Sequence, residues 1–142
     1  MAGSKRYKFS ILIVDDDLAY RSAVQTCFPT GEYHVATATD GEAALALIEK
    51  SRFDLVITDL QMPRMDGHSL IQVLRNRYPA LPIIVMTAGP EPDTSHPQSW
   101  NPPLNCLVKP FRKDTLLAMT RKLLPAGGFH EWNPNASPRP VH

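Results

Sequence analysis

The chain has 142 residues, of which 43% are apolar and 20% are charged, and its formal net charge is +1. This length suits one domain with a single hydrophobic core, and the composition argues against intrinsic disorder. The near-neutral charge gives no sign of the basic surface that direct nucleic-acid binding requires.

The sequence also gives no sign of a membrane segment or of disulfide chemistry. Its longest apolar runs, at 11–14 and 83–86, are far shorter than the ~20 residues of a membrane-spanning helix, and residues 1–8 lack the apolar core of a signal peptide. Cys27 and Cys106 lie far apart in apolar segments, which favours free thiols in a reducing compartment. We therefore expect a cytoplasmic protein.

Short apolar runs alternate with segments of helical periodicity, which predicts an α/β fold with a parallel sheet and helices on both faces. The predicted strands are 9–14, 34–37, 54–58, 83–87 and 105–108. Helices are predicted at 18–28, from about 39 to 51, from 66–67 to just before Pro79, and at 112–124. Asp17 is the expected N-cap of the first helix, and Thr39 with Glu42 forms a capping box for the second.

Two segments depart from this rhythm. Residues 89–103 contain five prolines, and an interior proline destabilises a helix by about 3 kcal/mol, so an extended loop is predicted there. Residues 125–142 are rich in proline, glycine and asparagine and are too few to form a second domain. We thus expect an extension at 1–8, one domain at 9–124, a flexible tail, and no output domain in this chain.

Polar residues follow four of the predicted strands. Asp15 and Asp16 follow the first, Asp59 the third, Thr87 ends the fourth and Lys109 follows the fifth. Because the carboxyl ends of parallel strands share one edge of a sheet, where ligands bind, these side chains are expected to converge. An isolated Asp-Asp pair would more often cap a helix, but the complete set favours a functional site.

The convergent carboxylates predict a cation site. Carboxylates brought together repel one another, and Mg²⁺ is a hard ion that binds through one or two carboxylates and a phosphate. The histidines and cysteines show no spacing typical of zinc. Asp59 is the candidate nucleophile, Lys109 can pair with a carboxylate or a phosphoryl oxygen, and the Thr87 hydroxyl can donate a hydrogen bond. The set suits phosphoryl transfer to a carboxylate.

Four motifs resemble the receiver domains of two-component response regulators: ILIVDDD at 11–17, DLVITDLQMPRMDG at 54–67, PIIVMTA at 82–88 and LVKPF at 107–111. The resemblance implies a flavodoxin-like, CheY-like sheet of order 2-1-3-4-5 and a cis peptide before Pro110. It implies that Asp59 accepts a phosphoryl group from a histidine kinase or phosphotransfer protein, while Thr87 and Lys109 contact that group. It further implies that Asp15, Asp16, Asp59 and the backbone carbonyl of Gln61 bind Mg²⁺.

The sequence departs from this family in the region that reports phosphorylation. Receivers usually carry tyrosine or phenylalanine three residues before the lysine, and Cys106 stands there. The proline-rich stretch at 89–103 replaces the family's fourth helix, although the separation of 22 residues between Thr87 and Lys109 (109 minus 87) is ordinary. We expect Cys106 to be a small buried side chain rather than a redox group.

Three functions are compatible with these features. The first is a phosphorylated signalling switch or phosphorelay carrier that acts through contact with an unidentified protein and is not an enzyme beyond its own phosphoryl transfer and dephosphorylation. The second is a receiver-fold binding module whose output does not depend on phosphorylation. The third is a phosphatase of the haloacid dehalogenase type, which is disfavoured because Gln61 replaces the second aspartate that such enzymes need.

Overall fold

A computed structural model describes residues 6–7, 9–29, 31–60, 67–88, 104–124 and 130–131. In chain order its elements are β1 (Arg6–Tyr7), β2 (Phe9–Val14), α1 (Leu18–Thr26), β3 (Tyr33–Ala38), α2 (Gly41–Lys50), β4 (Leu55–Asp59), α3 (Gly67–Arg77), β5 (Ile83–Thr87), β6 (Asn105–Val108), α4 (Lys113–Leu123) and β7 (His130–Glu131).

Strands β2 to β6 form one parallel sheet in the spatial order β3-β2-β4-β5-β6. Counted along the chain, the order of these five strands is 2-1-3-4-5, which confirms the predicted class and topology. Strands β2, β4 and β5 are buried along their whole length, as expected for parallel strands covered on both faces.

Two apolar layers form because alternate residues of each strand point to opposite faces of the sheet. One layer joins strand residues Leu12, Val14, Val56 and Val85 to helix residues Ala44, Ile48, Leu70, Ile71 and Leu74 of α2 and α3. The other joins Ile11, Ile13, Leu55, Ile57 and Ile84 to Val24 of α1 and to Leu116 and Leu117 of α4. Burial of a valine, leucine or isoleucine side chain stabilises the fold by roughly 1.5–3 kcal/mol. A shift of the strands against one another would disrupt this packing, so the two layers fix the strand register.

The helix caps confirm one prediction and correct another. The Asp17 carboxylate accepts a hydrogen bond from the main-chain N–H of Tyr20 at 3.2 Å, as predicted for the N-cap of α1. The capping box of Thr39 and Glu42 is wrong. Helix α2 begins after Asp40, whose Oδ1 accepts from the Ala43 N–H at 2.8 Å. Asp40 lies one residue nearer the helix than Thr39. Its carboxylate is a strong hydrogen-bond acceptor and also interacts favourably with the helix dipole.

The ends of the chain contain a feature that the sequence did not predict. Strands β1 and β7 pair antiparallel, with Arg6 opposite Glu131 and Tyr7 opposite His130. The predicted extended loop at 89–103 lies outside the described residues, and so does most of the tail that was predicted to be flexible. Within the described part of the chain, no helix combines the length and the apolar character needed to cross a membrane.

Candidate functional site

The carboxyl edge of the sheet brings four of the predicted residues together. Asp15 follows β2, and its N–H donates to the Ala38 carbonyl at the end of β3 at 3.1 Å. Asp59 ends β4 in register with Met86, one residue before Thr87. The N–H of Lys109 donates to the Thr87 carbonyl at 2.7 Å. The strand register therefore places these residues at one edge, as the sequence predicted.

Asp15 is held rigidly in this edge. Its side chain is fully buried, and Oδ1 accepts from the Asp17 N–H at 2.9 Å. Its main-chain carbonyl accepts from the Arg21 guanidinium at 2.7 Å. Asp17 is the N-cap of α1 and Arg21 lies in its first turn, so these hydrogen bonds tie the first acidic residue to the start of the helix.

Lys109 joins the two buried carboxylates. Its Nζ lies 2.9 Å from Asp15 Oδ2 and 3.3 Å from Asp59 Oδ2. The lysine side chain is only 17% exposed and that of Asp59 12%, so these charges interact in a poorly solvated setting. Burial alone would lower the pKa of Lys109, but the hydrogen bond to Asp15 and the charges of Asp59 and Asp15 raise the pKa above its ordinary value. The lysine is therefore an ammonium at neutral pH.

Asp16 completes an acidic cluster with Asp15 and Asp59. One carboxylate oxygen from each residue lies within 4.8 Å of the others, and Asp16 is exposed where Asp15 is buried. Among the described residues, these three carboxylates face the ammonium of Lys109 and the Arg21 guanidinium at the Asp15 carbonyl. Negative charge therefore still exceeds positive charge in the cluster, which favours a cation. Mg²⁺ binds oxygen ligands at about 2.0–2.1 Å in octahedral geometry and keeps several waters, so this donor set fits it.

Thr87 and Gln61 are the remaining predicted site residues. Thr87 is buried at the end of β5, but its predicted contact with a phosphoryl group stays a prediction. Gln61, whose backbone carbonyl is the fourth predicted magnesium ligand, lies outside the described residues. The cis peptide between Lys109 and Pro110 is present, as the resemblance implied.

Gly67 contributes to the site in a way that the sequence interpretation missed. A Cβ at this position would lie 2.3 Å from the Asp59 carbonyl oxygen and 2.5 Å from Leu60 Cα, so only glycine fits without a shift of the backbone. The Gly67 N–H donates to the Leu60 carbonyl at 2.9 Å. The sequence predicts only a helix start at 66–67, whereas the structure shows that Gly67 lets α3 pack directly on the backbone of Asp59.

The two cysteines are free thiols, as predicted. Cys106 lies on β6 opposite Val85 and is half-buried rather than fully buried. Burial raises the pKa of the Cys106 thiol, and it does the same for Cys27, where the charge of Lys113 opposes it. A raised pKa disfavours the reactive thiolate, which agrees with a packing role for Cys106.

The CheY-like class of signalling domains is defined by a parallel sheet of this order. Its carboxyl edge carries an acidic pair, a further aspartate and a lysine. The model of the family described as "Response regulator receiver domain" matches residues 11–121. The chain belongs to this family.

Individual response regulators are similar to this chain in sequence or in structure. Response regulator protein FleR of Pseudomonas aeruginosa is 37% identical over 112 residues, which cover 79% of this chain and 24% of FleR. The structure of the chemotaxis response regulator CheY4 of Vibrio cholerae is 33% identical with a TM-score of 0.73 and covers 82% of this chain and 99% of CheY4. Response regulator TrrA of Thermotoga maritima, solved in complex with Mg²⁺-BeF, is 32% identical with a TM-score of 0.72; the match covers 82% of this chain and 99% of TrrA. The chain spans about a quarter of the length of FleR.

Proposed function

We propose that this chain accepts a phosphoryl group on Asp59 from a partner histidine kinase or phosphotransfer protein, in a magnesium-dependent reaction, and signals through contact with another protein. One observation carries the proposal. The Lys109 ammonium bridges Asp15 and Asp59 at 2.9 and 3.3 Å, at the edge of a receiver fold where a phosphoryl group would arrive.

Asp59 has the chemistry of the acceptor. Its carboxylate lies at the end of a fully buried strand, so its position is fixed, and its side chain is 12% exposed at the carboxyl edge of the sheet. In the proposed step an Asp59 oxygen forms a bond to phosphorus while the bond from phosphorus to the donor's imidazole nitrogen breaks. The imidazole leaves with both electrons of that bond and regains a proton. Such transfer depends mainly on in-line positioning and on neutralising the phosphoryl oxygens.

Lys109 and Thr87 supply part of that neutralisation. Lys109 can exchange its bond to the Asp59 oxygen for one to a phosphoryl oxygen, and the Thr87 hydroxyl can donate to another. A magnesium ion held by Asp15, Asp16, Asp59 and the Gln61 carbonyl would supply the remaining positive charge. The Mg²⁺-BeF complex of the relative TrrA supports a magnesium site here. The chain would thus catalyse its own phosphorylation and dephosphorylation without being an enzyme for another substrate.

The output step differs from the one that the family resemblance implies. Cys106 stands where receivers usually carry an aromatic ring, and a cysteine cannot report phosphorylation by rotating a ring inward. We propose that the signal leaves through direct protein contacts of the phosphorylated domain. A cytoplasmic location remains our prediction from the cysteine pattern.

The proposal is tested by incubating the purified chain with acetyl phosphate and Mg²⁺ and following the intact mass. We expect addition of one phosphoryl group, no addition when a chelator removes magnesium, and no addition to Asp59→Asn. Asp114→Asn is the matched control, because Asp114 is an exposed aspartate of α4 that takes no part in the site.

The same experiment distinguishes the competing function. A folded protein that binds no phosphoryl group under these conditions, or an Asp59→Asn variant that is labelled as fast as the parent, would contradict the proposal. The first result would favour a receiver-fold binding module that acts without phosphorylation.

A further inference from the structure

Tyr20 of α1 contacts the site through the ammonium of Lys109. The Lys109 Nζ lies over the face of the Tyr20 ring, 4.1 Å from its centroid. An ammonium at this distance from a ring face is attracted by the ring's quadrupole, and the attraction is stronger when the pair is partly desolvated. Lys109 therefore contacts two carboxylates and one aromatic face.

The chain segment that follows Lys109 holds the Tyr20 ring in place. Phe111 meets the ring edge-on, with centroids 5.8 Å apart and an interplanar angle of 75°. Both rings pack on the apolar layer between the sheet and helices α1 and α4. Tyr20 is thereby held by contacts with Lys109, with Phe111 and with this apolar layer.

We propose that Tyr20 is a positioning residue for Lys109, holding the ammonium where a phosphoryl oxygen will arrive. This inference rests on the proposed function. The bonds of Lys109 to Asp15 and Asp59 must change when magnesium and a phosphoryl group enter the site, because these groups compete for the same carboxylate oxygens. The contact with the neutral Tyr20 ring involves none of those oxygens and can persist through the reaction.

The ring is suited to this task because it stays uncharged. Burial raises the pKa of the Tyr20 phenol above its ordinary value, although the charge of Lys109 and the hydrogen bond of Phe111 oppose the effect. Lys109 thus meets a neutral ring face and not a phenolate, which would compete with Asp59 for the ammonium. The ring's own helix also fixes Asp15, through the N–H of Asp17.

The test compares three variants. Tyr20→Phe keeps the ring and loses the hydroxyl, whereas Tyr20→Met keeps an apolar side chain of good helix propensity and loses the ring. Tyr33→Leu is the control, because it removes a ring from the same apolar layer at the opposite end of the sheet. At that end Tyr33 lies opposite Phe9 in the register of β2 and β3.

Two quantities are measured: the NMR shift of the Lys109 ε-methylene protons in the unphosphorylated protein, and the rate of phosphorylation by acetyl phosphate at saturating donor and Mg²⁺. In the parent and in Tyr20→Phe we expect an upfield ε-methylene shift from the ring current and rates within about twofold of each other. In Tyr20→Met we expect this shift to disappear and the maximal rate to fall roughly threefold to tenfold, as for loss of one partly buried cation–π contact. The donor concentration at half-maximal rate should stay unchanged, and Tyr33→Leu should keep both the shift and the rate.

The proposal is overturned if folded Tyr20→Met keeps the parent rate, if Tyr20→Phe loses as much as Tyr20→Met, or if Tyr33→Leu slows the reaction equally. Tyr20→Leu replaces the methionine variant if that variant does not fold. The parent's methylene shift needs no variant and no phosphodonor. A parent protein that shows the upfield shift but accepts no phosphoryl group would contradict the proposed function alone, whereas an unshifted methylene would contradict the positioning role alone.

Discussion

At the scale of single residues, Lys109 neutralises part of the negative charge of the site. Its ammonium forms ion pairs with two carboxylates, and one of them, that of Asp15, is fully buried. Removing one partner of a buried ion pair is strongly destabilising because the remaining charge stays desolvated. Any cation that binds the same carboxylates should relieve that destabilisation.

We therefore expect Lys109→Met to lower the free energy of unfolding by about 3 kcal/mol in the absence of magnesium. Millimolar Mg²⁺ should recover more stability in this variant than in the parent, because it replaces the missing positive charge. Urea unfolding with and without Mg²⁺ measures both effects. Lys113→Met, at an exposed position four residues further on, is the control and should leave stability nearly unchanged.

His34 gives a second residue-scale prediction, on pH dependence. Burial lowers the pKa of this half-buried histidine of β3. The unfolded chain, with an ordinary histidine pKa near 6.5, therefore binds a proton more readily than the folded protein does. The contribution of neutral His34 to the stability of the fold is complete above about pH 6.5. It is lost as the pH falls through the pKa that His34 has in the folded protein.

Replacing His34 with glutamine should make stability fall less steeply than in the parent as the pH is lowered from neutrality. The folded pKa is measured directly by NMR titration of the imidazole ring, and unfolding curves at several pH values give the stability. A His34 that titrates at or above the value of a free histidine would contradict this prediction.

At the scale of elements, the start of α2 depends on Asp40 and not on Thr39. Both residue types are good N-caps, so the sequence alone could not separate two neighbours, whereas the hydrogen bond from Ala43 identifies the aspartate. We expect Asp40→Ala to cost about 1 kcal/mol and Thr39→Ala to cost much less, as measured by urea unfolding. Equal losses in the two variants would show that the cap is shared.

The contact between α3 and β4 depends on Gly67. An added methyl group would meet backbone atoms of Asp59 and Leu60, which cannot move away as a flexible side chain could. We expect Gly67→Ala to destabilise the fold by roughly 1–3 kcal/mol, as for other overpacked sites, and to slow phosphorylation of Asp59 by displacing its backbone.

The variant Gly31→Ala distinguishes a loss of stability from a direct effect on the phosphorylation of Asp59. Gly31 has a φ of +87° with open space around it, so alanine there is strained without touching the site. It should cost about 1 kcal/mol and leave the phosphorylation rate unchanged. If both variants slowed phosphorylation in proportion to their loss of stability, Gly67 would have no special relation to Asp59.

At the scale of the whole molecule, the sequence predicted the sheet and its edge well. Buried parallel strands are continuous apolar runs, so the residues that end them, such as Asp59 and Thr87, can be located by pattern alone. The topology then brings distant positions together, and the family motifs indicated which of them matter.

What the sequence did not predict depends on tertiary contacts. The fit of Gly67 against the backbone of residues 59–60 requires two elements to meet closely, which no local pattern reveals. The stacking of Lys109 on Tyr20 joins residues 89 positions apart (109 minus 20). Strands β1 and β7 contain two residues each, too few for any periodicity to appear.

The central claim is that Asp59 is the phosphoacceptor, and its most direct test locates the phosphoryl group within the chain. The protein is phosphorylated with acetyl phosphate and Mg²⁺, the acyl phosphate is reduced with borohydride, and the digested peptides are sequenced by mass spectrometry. We predict a single reduced aspartate, at position 59. Reduction at another carboxylate, or at no residue of a protein that remains folded, would contradict the account.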